Sequence, residues 1–282
     1  MRSEANQILF AVDLEDVRDW VREGERFSPR VPVNTERFLR FLESKNGKGT
    51  FFVVGKVAER YGGLIADILA EGHEIACHSH EHLQLEKLGQ KKFREDLKRN
   101  MEALYRCGAT HIKGFRAPTF SMTESTQWAY EILEDLGFSY SSSVLPARNP
   151  LYGWPGFGEK PRKIGNVFEL PVTLGKYPFL QAPLAGGVYF RTVPFPLIRR
   201  ETEKIFRSGK PVLTYFHPYD IDTGQERFMH PDLNNNRWMN ALMYVNRSKV
   251  FPRIEKLIDF FSCSLITYNE YVERTLKNHI AA

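Results

Sequence analysis

Residues 8–16 read ILFAVDLED, from Ile8 to Asp16. An unbroken apolar run, instead of an alternation of apolar and polar residues, describes a strand covered on both faces, which is how strands lie in a parallel sheet. The run stops at Asp13, and three acids, Asp13, Glu15 and Asp16, crowd the point where the strand emerges. In parallel α/β architectures ligands collect at the carboxyl ends of the strands. This stretch therefore predicts both a fold class and the end of the sheet where chemistry would sit.

Outward from it, apolar runs alternate with helical periods. Phe38, Leu39, Phe41 and Leu42 recur at helical spacing behind the capping candidates Asn34 and Thr35, and TFFVV (50–54) reads as a second strand. A helix over 57–70 ends before Gly72, and HEIAC (73–77) is a third strand. Phe93, Leu97, Met101 and Leu104 share one helical face, 112–115 is a short strand, and Thr123 caps a helix carrying Trp128, Ile132 and Leu133. From about 146 to 190 the text turns to Pro, Gly and aromatic residues, which predicts an inserted loop region with short strands at 167–170 and 187–190. Order resumes with a helix over 197–206, the strand VLTYF (212–216), a polar loop through Asn236, a helix over 254–261 and a strand at 264–267. Strands separated by helices along the whole chain predict one domain over 1–282, built as a closed or nearly closed (β/α) barrel, with an open doubly wound sheet as the alternative.

Composition narrows the function classes. The 282 residues are 42% hydrophobic, enough for a real core, and the net charge of +5 is spread among interleaved signs, so no nucleic-acid partner is expected. No run approaches the roughly 18 apolar residues of a transmembrane helix. The N-terminal apolar run is short and acid-flanked, unlike a secretion signal, which predicts a cytoplasmic protein. Cys77, Cys107 and Cys263 form an odd set without a CxxC, which fits reduced thiols.

The remaining strand exits also carry polar residues. The third runs into CHSHEH (77–82), where His78 and His82, four apart, would share one side of a helical turn. Two imidazoles and one carboxylate make a three-ligand site with an open position, which suits catalytic zinc and admits other divalent metals. The fourth exit is GFRAPTF (114–120), whose Arg116 can orient a carboxylate base, and VLTYF delivers His217 before Pro218, a candidate general acid.

The ordered set VDLED, GHEIAC followed by HSxxH, RAP and a late HP resembles the polysaccharide deacetylases, the NodB-like carbohydrate esterases, over about residues 8–270. It is most similar to the D-x-E-D branch found beside exopolysaccharide and surface-glycan genes. The resemblance implies a distorted (β/α) barrel of about seven parallel strands that removes N-acetyl groups from an amino sugar in a polysaccharide, oligosaccharide or glycan precursor. It implies one divalent ion, zinc first and Co, Ni, Mn or Fe also admissible, held by His78, His82 and Asp16. Glu15 then takes the base position; alternatively Asp13 is the base, since Asp13 and Glu15 share a strand face. His217 matches the acid and Arg116 the residue holding the base. Ser141, in YSSSV (140–144), stands where relatives commonly carry Asp. Two other readings are an allantoinase-like cyclic-amide hydrolase of the same fold, and an inactive glycan-binding barrel.

Overall fold

The computed structural model describes residues 6–148, 152–178, 180–230, 233 and 235–277. Gln7–Leu9 (β1) and Ala11–Leu14 (β2) make one strand interrupted at Phe10; Val31–Ser44 (α1), Thr50–Val53 (β3), Gly55–Arg60 (α2), Gly62–Ala70 (α3) and Glu74–Cys77 (β4) follow. Next come Leu85–Arg106 (α4), Gly114–Phe115 (β5), Ala129–Asp135 (α5) and Tyr140–Ser141 (β6). The hairpins Arg162–Ile164 (β7) with Val167–Glu169 (β8), and Leu174–Tyr177 (β9) with Leu180–Pro183 (β10), precede Gly187–Thr192 (α6) and Phe195–Arg207 (α7). Val212–Leu213 (β11), Arg237–Leu242 (α8), Val250–Phe261 (α9), Ser264–Ile266 (β12) and Tyr268–Tyr271 (α10) complete the regular elements.

The main sheet runs β2-β3-β4-β5-β6-β8-β7, parallel throughout except for β7, while β1 pairs in parallel with both β11 and β12. A parallel bridge between Val12 and Phe216 joins the first strand to the extension of β11. Between β8 and β11 the ring is closed by irregular chain: Thr173 Oγ1 accepts from the Leu213 amide at 2.9 Å, the Leu184 amide donates to Thr173 O at 2.8 Å, and the Tyr215 amide donates to Ala185 O at 3.1 Å. The result is the distorted barrel of the parallel α/β class.

Side-chain parity explains why both faces of the first strand are apolar. Leu9 and Ala11 point into the barrel and share a core with Phe52, Ala76, Tyr140 and Tyr268. Ile8, Phe10, Val12 and Leu14 point outward under the helices, where Phe10 meets Phe38 and Phe216 at ring separations of 6.1 and 5.6 Å. The inward parity continues into Asp13 and Glu15, so an apolar barrel interior is capped by acids.

Several local expectations are corrected. Asn34 and Thr35 lie inside α1, donating to Arg30 O and Val31 O, because Pro32 starts the helix earlier. The helix over 57–70 divides into α2 and α3 at Tyr61. Thr123 caps a one-turn 3-10 helix, and α5 begins only at Ala129. The strand expected at 187–190 is the helix α6: Val188, Tyr189 and Phe190 have strand propensity, but the chain turns at Gly187 with φ +52, and tertiary packing overrides the propensity.

Among the described residues no helix is long and apolar enough to cross a membrane.

Gly114 on β5 has no room for a side chain, since a Cβ there would lie 2.1 Å from the Tyr140 Cζ and hydroxyl oxygen. That ring cannot swing away, because it stacks on Tyr268 at 6.1 Å and its hydroxyl donates to Glu74 at 2.6 Å. Gly114→Ala should therefore lower unfolding free energy by about 1–3 kcal/mol through overpacking. A Cβ at Gly63 in α3 meets nothing within 4 Å, so Gly63→Ala should be neutral or stabilise by up to about 1 kcal/mol. Denaturant unfolding of the two variants checks both signs.

Candidate metal centre and active site

Four strand exits converge on one side of the barrel mouth. Asp13 is the last inward-facing residue of β2 and is 3% exposed; Glu15 follows two residues later on the same face. His78 leaves β4 and is buried, with its Nδ1 donating to Arg116 O at 2.8 Å, so Nε2 carries the free lone pair. His82 Nε2 lies 2.7 Å from Glu15 Oε2, and the two imidazole rings meet edge to face at 5.0 Å.

The histidines do not meet on a helical turn. Residues 78–84 form a loop in which Ser79 and His82 adopt left-handed backbone, φ +64 and +55. Asp96 on α4 holds it: its carboxylate accepts from Ser79 Oγ at 2.7 Å, the His80 amide at 2.7 Å and the Glu81 amide at 2.9 Å. Asn100, one turn on, donates to Val53 O and Ser79 O. Strained backbone of this kind persists where its surroundings over-determine it, and the sequence held a signal for it. Asp96 and Asn100 interrupt the apolar stripe of Phe93 and Leu97.

Ligand atoms of Glu15, His78 and His82 all lie within 4.8 Å of one another. The donor set fits a divalent metal. Burial holds the His78 imidazolium off, its pKa falling to about 4, so the ring is neutral and can ligate. Burial would raise Glu15, but the facing His82 and His217 hold it down at about 2, so it is a carboxylate.

Asp16 is not in this group, which corrects its expected place as a ligand. It stands past the end of β2 and caps the 3-10 turn that follows, accepting from the Arg18 amide at 3.2 Å. Its carboxylate is taken by Arg18 Nη2 at 2.6 Å and Arg60 Nη1 at 3.0 Å. The strand's parity delivers Glu15 to the histidines instead.

Arg116, at the end of β5, is 1% exposed. Its Nη1 donates to Asp13 Oδ1 at 2.6 Å, Nη2 donates to Ser142 Oγ at 3.1 Å and the Tyr268 hydroxyl at 2.9 Å, and the guanidinium lies 4.1 Å over the Phe52 ring. Burial disfavours its charge, but Asp13 and Tyr268 more than offset this and raise its pKa.

His217 Nε2 faces the same mouth, 3.9 Å from Asp13 Oδ2 and 3.8 Å from Glu15 Oε1. Its Nδ1 lies 2.9 Å from Asp220 Oδ2, which also accepts from the His217 amide. Burial works against the imidazolium, yet Glu15 and Asp220 carry its pKa up to about 9. Asp220 is fully buried and paired through Oδ1 to Arg191, itself fully buried, at 3.1 Å. Neither Asp220 nor Arg191 was found from the sequence as a site residue; the visible signal was Asp220 three residues past His217, in the turn set by Pro218.

Of the aromatics in 146–190, Trp154 and Phe157 pack edge to face at 5.0 Å against the core, and Tyr189 is half-buried.

Residues 26–141 match the family "Polysaccharide deacetylase", and residues 142–270 match "Domain of unknown function (DUF3473)". Over residues 26–141 the chain is thus similar to polysaccharide deacetylases. It is similar to a peptidoglycan-N-acetylglucosamine deacetylase of Bacillus cereus, 32% identical over 98 residues, and to a chitooligosaccharide deacetylase of Sinorhizobium fredii, 33% identical over 88 residues. Those matches take in 34% and 31% of this chain and 36% and 41% of the relatives, so it spans well under half of their lengths. Among solved structures, one described as a putative polysaccharide deacetylase from Mycobacterium smegmatis aligns with a TM-score of 0.69 at 20% identity, over 98% of this chain and 92% of that one. An allantoinase aligns at 0.61 and 12% identity, over 95% of this chain and 91% of that one. Both likenesses concern the fold.

Metal analysis separates the acids of this site. His78→Ala and His82→Ala should each strip a divalent ion from the protein, and the double variant should bind none. Asp16→Asn should retain it at wild-type stoichiometry. Zinc titration followed by calorimetry reads both; metal kept by the double histidine variant would refute the site.

Proposed function

We propose that the chain is a metal-dependent hydrolase that removes N-acetyl groups from an amino sugar within a polysaccharide, oligosaccharide or glycan precursor. The observation that carries this reading is the placing of a carboxylate–imidazole donor set, Glu15, His78 and His82, beside an Arg-held carboxylate and an Asp-held imidazole at one barrel mouth. The names of the relatives, a peptidoglycan-N-acetylglucosamine deacetylase and a chitooligosaccharide deacetylase, support the substrate class.

Each group then has one role. A divalent ion held by Glu15, His78 and His82, with zinc the best match to the donors, supplies Lewis acidity for the acetyl carbonyl and for water. Asp13 is the base. Arg116 occupies Oδ1 and leaves Oδ2 facing the mouth, where it accepts the proton of the attacking water. The water oxygen bonds to the acetyl carbon, the C–N bond breaks, and acetate leaves. His217 is the acid: Asp220 takes Nδ1–H, so Nε2–H is directed inward to protonate the departing amine. Arg116 and Asp220 are positioning residues, fixing the rotamers of base and acid.

Removing an acid that acts only in the transition state should leave the ground state intact. His217→Ala should lower kcat on an N-acetylated chitooligosaccharide by about 10²-fold or more while metal content is unchanged. An O-acetyl analogue has a better leaving group and needs less protonation, so the variant should be impaired less on it. Acetate release from both substrates, with metal analysis alongside, tests the assignment. Equal impairment on the two, or loss of metal, would give His217 another role, and no turnover by the wild type on any N-acetylated sugar would overturn the reading as a whole.

Arg116→Met should cost about 3–5 kcal/mol of stability as well as turnover, because it strands a buried carboxylate. Denaturant unfolding together with kcat measured well below the transition checks the pair of effects.

A further inference from the structure

The helix α8 is built inside out. Its polar side faces the protein: Asn240 Nδ2 donates to Phe228 O at 3.0 Å and its Oδ1 accepts from the His230 amide at 2.9 Å, while Asn236 caps the amides of Trp238 and Met239. Its apolar side faces outward. Trp238 is 84% exposed, Met239 50%, Leu242 42% and, in the turn that continues the helix, Val245 39%; no residue of α8 is buried. Trp238, Leu242 and Val245 stand at i, i+4 and i+7, one stripe of a helix, yet among the described residues nothing covers the stripe. An amphipathic helix with this orientation holds its place by other means. Arg191 Nη1 grips Met243 O at 3.1 Å and Val245 O at 2.8 Å, Arg247 Nε holds Met243 O at 2.8 Å, and the Tyr244 hydroxyl bonds to the Phe228 backbone. The apolar face is thus presented on a rigid mount.

Charge identifies the occupant. Arg227, Arg237 and Lys249 are exposed on this segment while Arg247 is buried, and across residues 227–249 the sequence sets these four cations against the single acid Asp232. A Trp with aliphatic neighbours and a basic margin is the composition of a helix lying in the boundary of an anionic bilayer. A second copy of the chain fits worse, because a two-fold contact sets each patch on itself and brings basic margin against basic margin. A glycan fits worse too, since only Trp238 offers a flat face to a sugar ring, and Met239, Leu242 and Val245 would be left without a partner.

We propose that α8 docks the protein onto a membrane surface rich in anionic lipid, with Trp238, Met239, Leu242 and Val245 entering the headgroup boundary and Arg237 and Lys249 meeting the lipid charge. The inference is independent of the deacetylase assignment.

Co-sedimentation of the full chain with phosphatidylcholine vesicles, with and without phosphatidylglycerol, tests it. Wild type should partition onto the anionic vesicles at least about tenfold more strongly than onto the neutral ones, and less so as salt is raised. The variant Trp238→Ser/Met239→Ser/Leu242→Ser, which alters only exposed positions, should lose that partition by about tenfold or more while its far-UV spectrum, metal content and acetate release from a soluble oligosaccharide stay at wild-type values. Phe260→Ser, on the exposed face of α9, should bind vesicles like wild type. No partition onto anionic vesicles, or equal partition of the triple variant, overturns the proposal. So does a concentration-dependent dimer that the triple variant abolishes, which would assign the face to a second copy, or a loss of soluble-substrate turnover without vesicle binding, which would assign it to the glycan.

Discussion

A guanidinium cannot be withdrawn from water unless its charge and its donors are met, and the barrel mouth is organised around that constraint at Arg116. Its partners arrive from different strands: Asp13 from β2, Ser142 from the end of β6, Tyr268 from the end of β12, and the Phe52 face from β3. Satisfying one cation therefore ties together the strand ends that must stay in register for the site. The Tyr268 hydroxyl passes the link on to Thr214 O at 2.9 Å, beside the extension of β11 that carries His217. Asp13 is fixed by the same contact, so the orientation of the proposed base and the closure of the barrel are one problem with one solution.

Depth along the first strand separates structure from chemistry. Leu9 and Ala11 belong to the barrel interior, Asp13 lies at its ceiling, and Glu15, two residues or about 6–7 Å further along an extended chain, reaches the histidines. Because inward positions recur every second residue, the proposed base and the proposed ligand can share one strand without exchanging roles. Asp16, off that parity, is released to bind Arg18 and Arg60 and so to fasten the turn beyond the strand.

Much of this was legible in the sequence because it rests on short-range rules. The unbroken run ILFAV reads as a doubly covered strand, and the polar residues of the site fall where apolar runs end. His78, His82, Arg116 and His217 were visible in that way. The choice among Asp13, Glu15 and Asp16 was not, because it depends on which residue is the last to keep strand geometry, and boundaries are weakly encoded. The helical pairing of His78 and His82 misread a spacing that a left-handed loop also satisfies, and that loop exists only because Asp96, distant in sequence, accepts its amides. Arg191 was invisible as a support for His217, since its link to Asp220 is a tertiary contact between α6 and the turn after β11. The segment 187–190 showed strand propensity and became a helix for a comparable reason: the close approach of Gly186 to Tyr215, where a Cβ would lie 2.1 Å from the Tyr215 carbonyl oxygen, sets the chain's direction before propensity can act.

Ser141 shows how a charge can be displaced along a sheet without leaving its neighbourhood. Read from the sequence, Ser141 removes a carboxylate from the strand-end ring. In the structure it registers opposite Glu169 on β8, a buried carboxyl that accepts from the Ser143 amide at 2.7 Å, the Val144 amide at 2.9 Å and the Tyr130 hydroxyl at 3.1 Å. Burial raises the Glu169 pKa against these donors. Ser141 Oγ donates to Ser143 Oγ at 2.7 Å, and Ser143 Oγ accepts from the Ala117 amide at 2.8 Å, the residue after Arg116. The acid thus stands behind the mouth instead of in it, and reaches the site through the backbone of the Arg116 turn. A carboxylate at position 141 would face Glu169 across adjacent strands, and two buried like charges there would repel. Serine at 141 and glutamate at 169 therefore form a compatible pair.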